Sequence, residues 1–264
     1  MNSLYTYIMK CYKLLLFLVF VMEQWVALSQ TPAHVFITAG QSNAEGRESA
    51  ERRPPYLDDS CYHHLRYAFV RSAQTGRFED FKFGDTFAFC DVTNYLIDRA
   101  MDSDFYAIKC TYGGTAIAPG VTEPGKPIWY ADRKWLKKNK AHNSRNGGMS
   151  LTLSLTEGFA KCVETTLSKL SAGYDVKAIL WHQGESDRNK AGNYYQNFKD
   201  MITFMREEIH AVTGKEKDKT LPFIFGTVPH ASRQYNPMVE AAQLKVAQEP
   251  VSYTHLRAHE TELH

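Results

Sequence analysis

The chain is poor in three things that would name a class outright. It has no charge excess: 31 lysines and arginines face 29 aspartates and glutamates, for a net charge of +2. No strong field therefore draws it to nucleic acid or to a membrane surface. It has little cysteine, five residues in 264. Cys61, Cys90, Cys110 and Cys162 show neither close pairing nor a metal-type C-x-x-C spacing, and read as buried free thiols. Its main apolar run, Leu14 to Met22, is nine residues, well short of the ~20 that span a bilayer. Internal repeats and low-complexity tracts are also lacking. His259 to His264 misses the His-Glu-x-x-His zinc pattern by one residue, which argues against a zinc protease. No metal or cofactor is expected.

What is present begins with a leader. Lys10 and Lys13 precede the apolar run, and Ala27-Leu28-Ser29 supplies small residues for cleavage. That layout is a secretory signal peptide over 1–29 rather than a membrane anchor. It predicts a secreted or periplasmic protein starting near Gln30, losing Cys11 and keeping no membrane contact. The remaining length suits one sizeable domain, expected over 30–249. The segment 250–264 bears no clear relation to what precedes it. It resembles a translated library adapter and is expected to be non-native.

Strand-like and helix-like segments alternate. Val35–Ala39, Phe105–Cys110, Val176–Trp181 and Phe223–Thr227 read as strands. Leu155, Phe159, Val163, Leu167 and Leu170 recur at helical spacing, predicting a helix from about Ser150 to Leu170. Asn193 is positioned to cap a second helix that Gly214 ends. A third is expected from Pro237 to about Gln248. Alternation of this kind implies βαβ units and a parallel sheet, hence a three-layer α/β/α domain. Pro119 to Gly148 has no convincing period and reads as a long functional loop.

Two polar motifs directly follow strands. Gly40-Gln41-Ser42-Asn43 follows the first, and Trp181 to Asp187 (Trp-His-Gln-Gly-Glu-Ser-Asp) closes another. Ligands of open α/β sheets bind outside the carboxyl ends of the strands, so distant motifs can meet there. Ser42 is a nucleophile if a base takes its proton; Ser42 or Asn43 serves equally as a helix cap. Gly113-Gly114, after a further strand, offers backbone N–H groups for an oxyanion, or an ordinary turn. The Gln183 amide offers another donor, each such donor being worth about 3 kcal/mol of barrier. Glu185 and Asp187 either orient a histidine, bind substrate hydroxyls or cap a helix. Asn43 and Arg47 flank the serine as candidate substrate contacts, Arg47 suiting an acidic sugar. Trp129, Tyr130, Trp135 and Tyr56 line a sugar groove or simply pack their loops.

These pieces resemble the SGNH-type hydrolases, in the sialate O-acetylesterase and acetylxylan esterase branch (carbohydrate esterase family 6). The likeness rests on Gly40 to Asn43, Gly113 to Thr115 and Trp181 to Asp187, and covers about Ala33 to Gln248. It implies a flavodoxin-like, mostly parallel sheet and hydrolysis of O-acetyl groups from acetylated carbohydrates. It implies Ser42 as nucleophile, with an oxyanion hole from the Ser42 and Gly113-Gly114 backbone and Gln183. The triad acid is Glu185 in some members, whereas others take it from a C-terminal Asp-x-x-His. That element is absent here. His182 matches a supporting position and His230 is a poor substitute for the base, so weak or no activity is expected of this chain. The rival readings are a sugar-binding protein on the same fold and a general-ester hydrolase with an apolar cleft.

Overall fold

The computed structural model describes residues 31–58, 60–69, 77–121, 126–140, 153–171, 173–249 and, as backbone, 253–256. The leader and most of the stretch after 249 lie outside the described residues. Parallel strands carry the fold: β1 (Ala33–Gly40), β3 (Leu65–Phe69), β6 (Phe105–Thr111), β7 (Tyr174–His182), β8 (Phe223–Gly226) and β9 (Tyr253–Leu256). With antiparallel β4 (Glu79–Asp80) they form a seven-stranded sheet of order β4-β3-β6-β1-β7-β8-β9. A separate two-stranded ribbon pairs β2 (Glu48–Ser49) with β5 (Thr86–Phe87). The run β6-β1-β7-β8-β9 has the flavodoxin-like order, with β1 between the second and third strands of the winding. β3 and β4 extend its far edge. β9 falls within the segment whose sequence looks foreign, and pairs parallel to β8.

The near-continuous apolar runs follow from burial on both faces. Val35, Ile37 and Ala39 of β1 pack on one side with Ile108 and Cys110 of β6. Against them lie α4 (Leu155–Leu167), α5 (Tyr194–Thr213) and α6 (Pro237–Ala247), through Phe159, Val163, Phe198, Met205 and Val246. Phe36 points the other way and meets Phe105 edge-on at 5.9 Å. Ile97 of α2 (Phe89–Ala100) and Met101 after it cover that second face over Phe105 and Ala107. Helix, sheet and helix make the three layers.

Local chemistry sets the helix ends. α4 begins at Leu155 rather than Ser150, because the Ser154 hydroxyl accepts from Glu157 N at 3.3 Å as an N-cap. α6 is capped by Asn236, whose side chain accepts from Met238 N and Val239 N. Gly214 ends α5 at φ 69°. Asn193, expected as a capping side chain, makes no cap bond: a 3₁₀ turn, Ala191–Asn193, runs directly into α5. The irregular stretch after Pro119 holds one short helix, α3 (Arg133–Lys138), capped by Asp132. Its residues 122–125 and 141–148 lie outside the described residues. No described helix is long and apolar enough to cross a membrane.

Candidate active site

Register brings the motifs together. Gly40 stands opposite Thr111 of β6 and His182 of β7, and His182 stands opposite Gly226 of β8. The three motif-bearing loops therefore leave adjacent strands at one carboxyl edge, around the switch point at β1. Tyr112 N donates to Gly40 O at 3.0 Å and Gln41 N donates to His182 O at 3.0 Å. The serine turn is thus stitched to both neighbours. Gly40 has φ +131°, and a Cβ there would sit 2.2 Å from the His182 carbonyl oxygen. Only glycine fits such a place.

Ser42 opens a single helical turn, α1 (Ser42–Glu45), in which Gln41 O accepts from Ala44 N and Glu45 N. Its side chain is half-buried while Gln41 is fully enclosed. Ser42 and Asn43 lie at the N-terminal end of the turn, where backbone N–H groups have no intrahelical acceptor. Gly113 lies against this turn: a Cβ on it would be 2.7 Å from Glu45 Oε2 and 2.8 Å from Arg47 Nη2. Arg47 Nη2 donates to Glu45 Oε2 at 2.7 Å, with the guanidinium largely exposed. Gly114 follows, exposed, at φ +71°. Ser42, Asn43, Arg47 and Gly113 are therefore gathered at one spot.

Glu185 joins them from β7's loop. Asn43 Nδ2 donates to Glu185 Oε1 at 2.6 Å, across 142 residues of sequence. Glu185 is 1% exposed. His182 Nδ1 lies 3.4 Å from the same Oε1. Glu185 Oε2 and His182 Nδ1 are both buried with no hydrogen-bond partner among the described residues. An unmet buried polar atom costs about 1–3 kcal/mol, more when charged, so the two have reason to pair. Among the described residues, nothing hydrogen-bonds the Ser42 hydroxyl. His230, the other histidine beyond a strand end, has Nε2 2.9 Å from Glu240 Oε1 and a largely exposed side chain.

Gln183 is used differently from the expectation of an oxyanion donor. It is fully buried. Its Nε2 donates to Thr115 O at 3.0 Å and to Asp187 Oδ2 at 2.5 Å, and its Oε1 accepts from Tyr194 OH at 2.9 Å. Both amide hydrogens are spent, so none remains for an oxyanion. Asp187 accepts further from Ile117 N and Ala118 N, each at 3.0 Å. Burial pushes its carboxyl up to about 6, against the pull of these donors and with Glu185 nearby adding to the rise. The Gln183–Asp187 pair thus ties β7's loop to the 115–118 segment that follows Gly113-Gly114. Thr115, Tyr194 and Gln243, which donates to Gln183 O at 2.9 Å, complete this brace. Neither Tyr194, spaced as part of an apolar helix face, nor Gln243, in a helix without a polar motif, carries a sequence signal of this role.

The aromatic candidates separate. Trp129 is fully buried, edge-on to Trp181 at 5.1 Å, with Nε1 donating to Thr115 Oγ1 at 3.1 Å. It is core, and has no face to offer a sugar. Trp135 is half-buried on α3, edge-on to Tyr130 at 5.3 Å. Arg133 fixes that helix over α5, through Glu208 and the Phe204 ring. No contact ties Trp135 to the serine turn among the described residues. Tyr56 is 48% exposed and packs on Tyr95 at 4.9 Å. Among the described residues, no group of three or more His, Cys, Asp or Glu is placed to hold a metal ion.

Comparison with known proteins agrees with this architecture. A solved protein of Arabidopsis thaliana superposes with a TM-score of 0.57 at 19% identity, over 86% of each chain. The structure of NanS superposes with a TM-score of 0.55 at 15% identity, over 86% of this chain and 79% of that one. At such identities the likeness is one of fold. No curated protein matches the sequence. One family model, the sialic acid-specific acetylesterase carbohydrate esterases, matches residues 32–264. By that match, the chain belongs to the carbohydrate esterase family of sialic acid-specific acetylesterases.

Proposed function

We propose that the protein is an exported serine esterase that removes O-acetyl groups from sugars through Ser42. The observation that carries the reading is the Asn43–Glu185 bond beside the Gly113–Arg47 contact. Together they put the loops of β1, β6 and β7 at one point around a half-buried serine. In this reading the Ser42 hydroxyl attacks the acetyl carbonyl and its proton passes to a base. The carbonyl oxygen, now negative, is held by the backbone N–H of Ser42 and of Gly113 or Gly114. The sugar hydroxyl leaves, and water then attacks the acyl-serine to release acetate. Gln183 and Asp187 serve this step by fixing the segment after the glycine pair. Arg47, exposed beside Gly113, suits a carboxylate on the sugar and so an acidic substrate.

No described histidine reaches Ser42, so the step that needs a base is slow in this reading; triad losses cost roughly 10⁴-fold. That same observation supports a second reading, a sugar-binding protein that releases no acetate. Acetate release from O-acetylated sialic acid and acetylated xylan, with Ser42→Ala as control, separates the two. A slow release abolished by the substitution supports the esterase. Equal rates in the two proteins remove the serine mechanism, and sugar binding without any release supports the alternative. The leader-like residues 1–29 support export, tested by the N-terminus of the mature protein.

A further inference from the structure

Glu185 sits between a histidine and the residue that follows the nucleophile. Its Oε1 takes the Asn43 amide at 2.6 Å and lies 3.4 Å from His182 Nδ1. The carboxylate is almost wholly enclosed, and its second oxygen and His182 Nδ1 have no hydrogen-bond partner among the described residues. The imidazole is held in place from other sides. Its ring centroid is 5.9 Å from that of Phe89, and its Cδ2 lies 3.3 Å from where a Cβ on Gly226 would be. Its backbone carbonyl already anchors Gln41 N. The ring's Nδ1 side thus faces Glu185, while its Cδ2–Nε2 side lies toward Gly226.

We propose that His182 is a positioning residue that acts on Ser42 through Glu185 and Asn43. In the Nδ1–H tautomer the ring donates to the Glu185 carboxylate and fixes which way its Oε1 faces. Oε1 holds the Asn43 amide, and Asn43 is the next residue in the same single turn as Ser42. A turn of four residues has little rigidity of its own, so an external tie sets where the hydroxyl sits. His182 is not a catalytic base in this arrangement: its Nε2 lies toward β8, and nothing links it to the serine hydroxyl among the described residues. The tie makes Glu185 a brace for the nucleophile turn.

The inference rests on Ser42 as nucleophile, and the test keeps the two apart. Three substitutions are compared with the unmodified chain: His182→Asn, whose amide nitrogen replaces Nδ1 as a donor; His182→Phe, which keeps a ring without a donor; and Ser42→Ala. Acetate release above the Ser42→Ala background should fall about tenfold in kcat for His182→Phe, with KM unchanged, as expected when a reacting group is misplaced. His182→Asn should stay within about threefold of the unmodified chain. Equal losses in the two His182 variants, or none in His182→Phe, overturn the proposal. Nitrogen-15 NMR of the imidazole gives a readout independent of turnover. A proton on Nδ1 that leaves its hydrogen-bonded position in Glu185→Ala, which removes the acceptor, supports the tie, and an Nε2–H tautomer in the unmodified chain overturns it. If Ser42→Ala releases acetate as fast as the unmodified chain, the serine reading fails, and the NMR result alone decides whether the His182–Glu185–Asn43 tie exists.

Discussion

Gly40→Ala is the most informative single change to the scaffold. The residue stands at φ +131°, and the new methyl would lie 2.2 Å from the His182 carbonyl oxygen. That oxygen belongs to strand backbone and cannot swing away. Holding an L-residue in this part of backbone space costs about 1–3 kcal/mol. Relieving the overlap needs a shift of about 1 Å between the ends of β1 and β7, since carbon atoms rarely approach non-bonded atoms closer than about 3 Å. The shift breaks the Gln41 N to His182 O bond, worth about 0.5–1.5 kcal/mol. The expected loss is thus about 2–4 kcal/mol, read as a lower midpoint in urea at unchanged slope. Gly192→Ala is the control, because a Cβ there meets nothing within 4 Å. If Ser42 is the nucleophile as proposed, a displacement of that size beside it should also cost about 100-fold in acetate release. If Gly40→Ala unfolds within 0.5 kcal/mol of the unmodified chain, roughly the range of a neutral surface change, the described packing of the serine turn is wrong.

Other outcomes follow from the same geometry. Asp187→Ala strands Ile117 N, Ala118 N and the Gln183 amide, and should lose about 3–5 kcal/mol of stability in urea. The Asp187 carboxyl titrates near 6 in the fold against 3.8 in the unfolded chain. Its contribution is therefore fully present below about pH 4 and is lost as pH rises through 6, an effect of up to about 3 kcal/mol. Asp187→Ala should flatten the stability profile in that window, whereas Asp175, held at about 2 by Lys177 and Lys217 despite its partial burial, acts only below about pH 4. Trp129→Ala should cost about 3–5 kcal/mol as a core deletion, while Trp135→Ala, half-exposed, should cost much less; isothermal titration with sugar on folded protein shows whether either affects binding. Gly113→Val should disturb the Glu45–Arg47 pair, which a Cβ already crowds at 2.7 and 2.8 Å, and should lower acetate release without unfolding the chain, as circular dichroism would show.

The central strands β1, β6, β7 and β8 were legible because they are buried on both faces, which leaves near-continuous apolar runs such as Val35 to Ala39, whereas β3, β4 and β9 carry no such run and were not read. Gly214 and Asn236 behave as their chemistry suggests, one ending α5 and the other capping α6. α2 was not legible, and the reason is physical. Its buried residues are Cys90, Asp91, Asn94 and Asp98, while Leu96 is exposed, so the face it packs with is not the apolar one a sequence pattern would pick out. Asp98 earns that place by accepting the backbone N–H groups of His63, His64 and Leu65 at the start of β3, a long-range role that no local pattern announces. In the site, loop positions could be read from strand ends, which is why Ser42, Gly113 and Glu185 meet. The direction in which a side chain points could not. Gln183 turns inward to brace a loop, and Trp129 fills the core, although both sit near the carboxyl edge where Ser42 and Glu185 lie.

Trapping the acyl intermediate tests the central claim most directly. The protein is mixed with an acetyl ester, quenched in acid and digested, and the peptides are weighed. The account predicts an acetyl group on the Ser42 hydroxyl, absent in Ser42→Ala. Ser42-independent acetate release, or an acetyl group carried by another side chain during turnover, would contradict it.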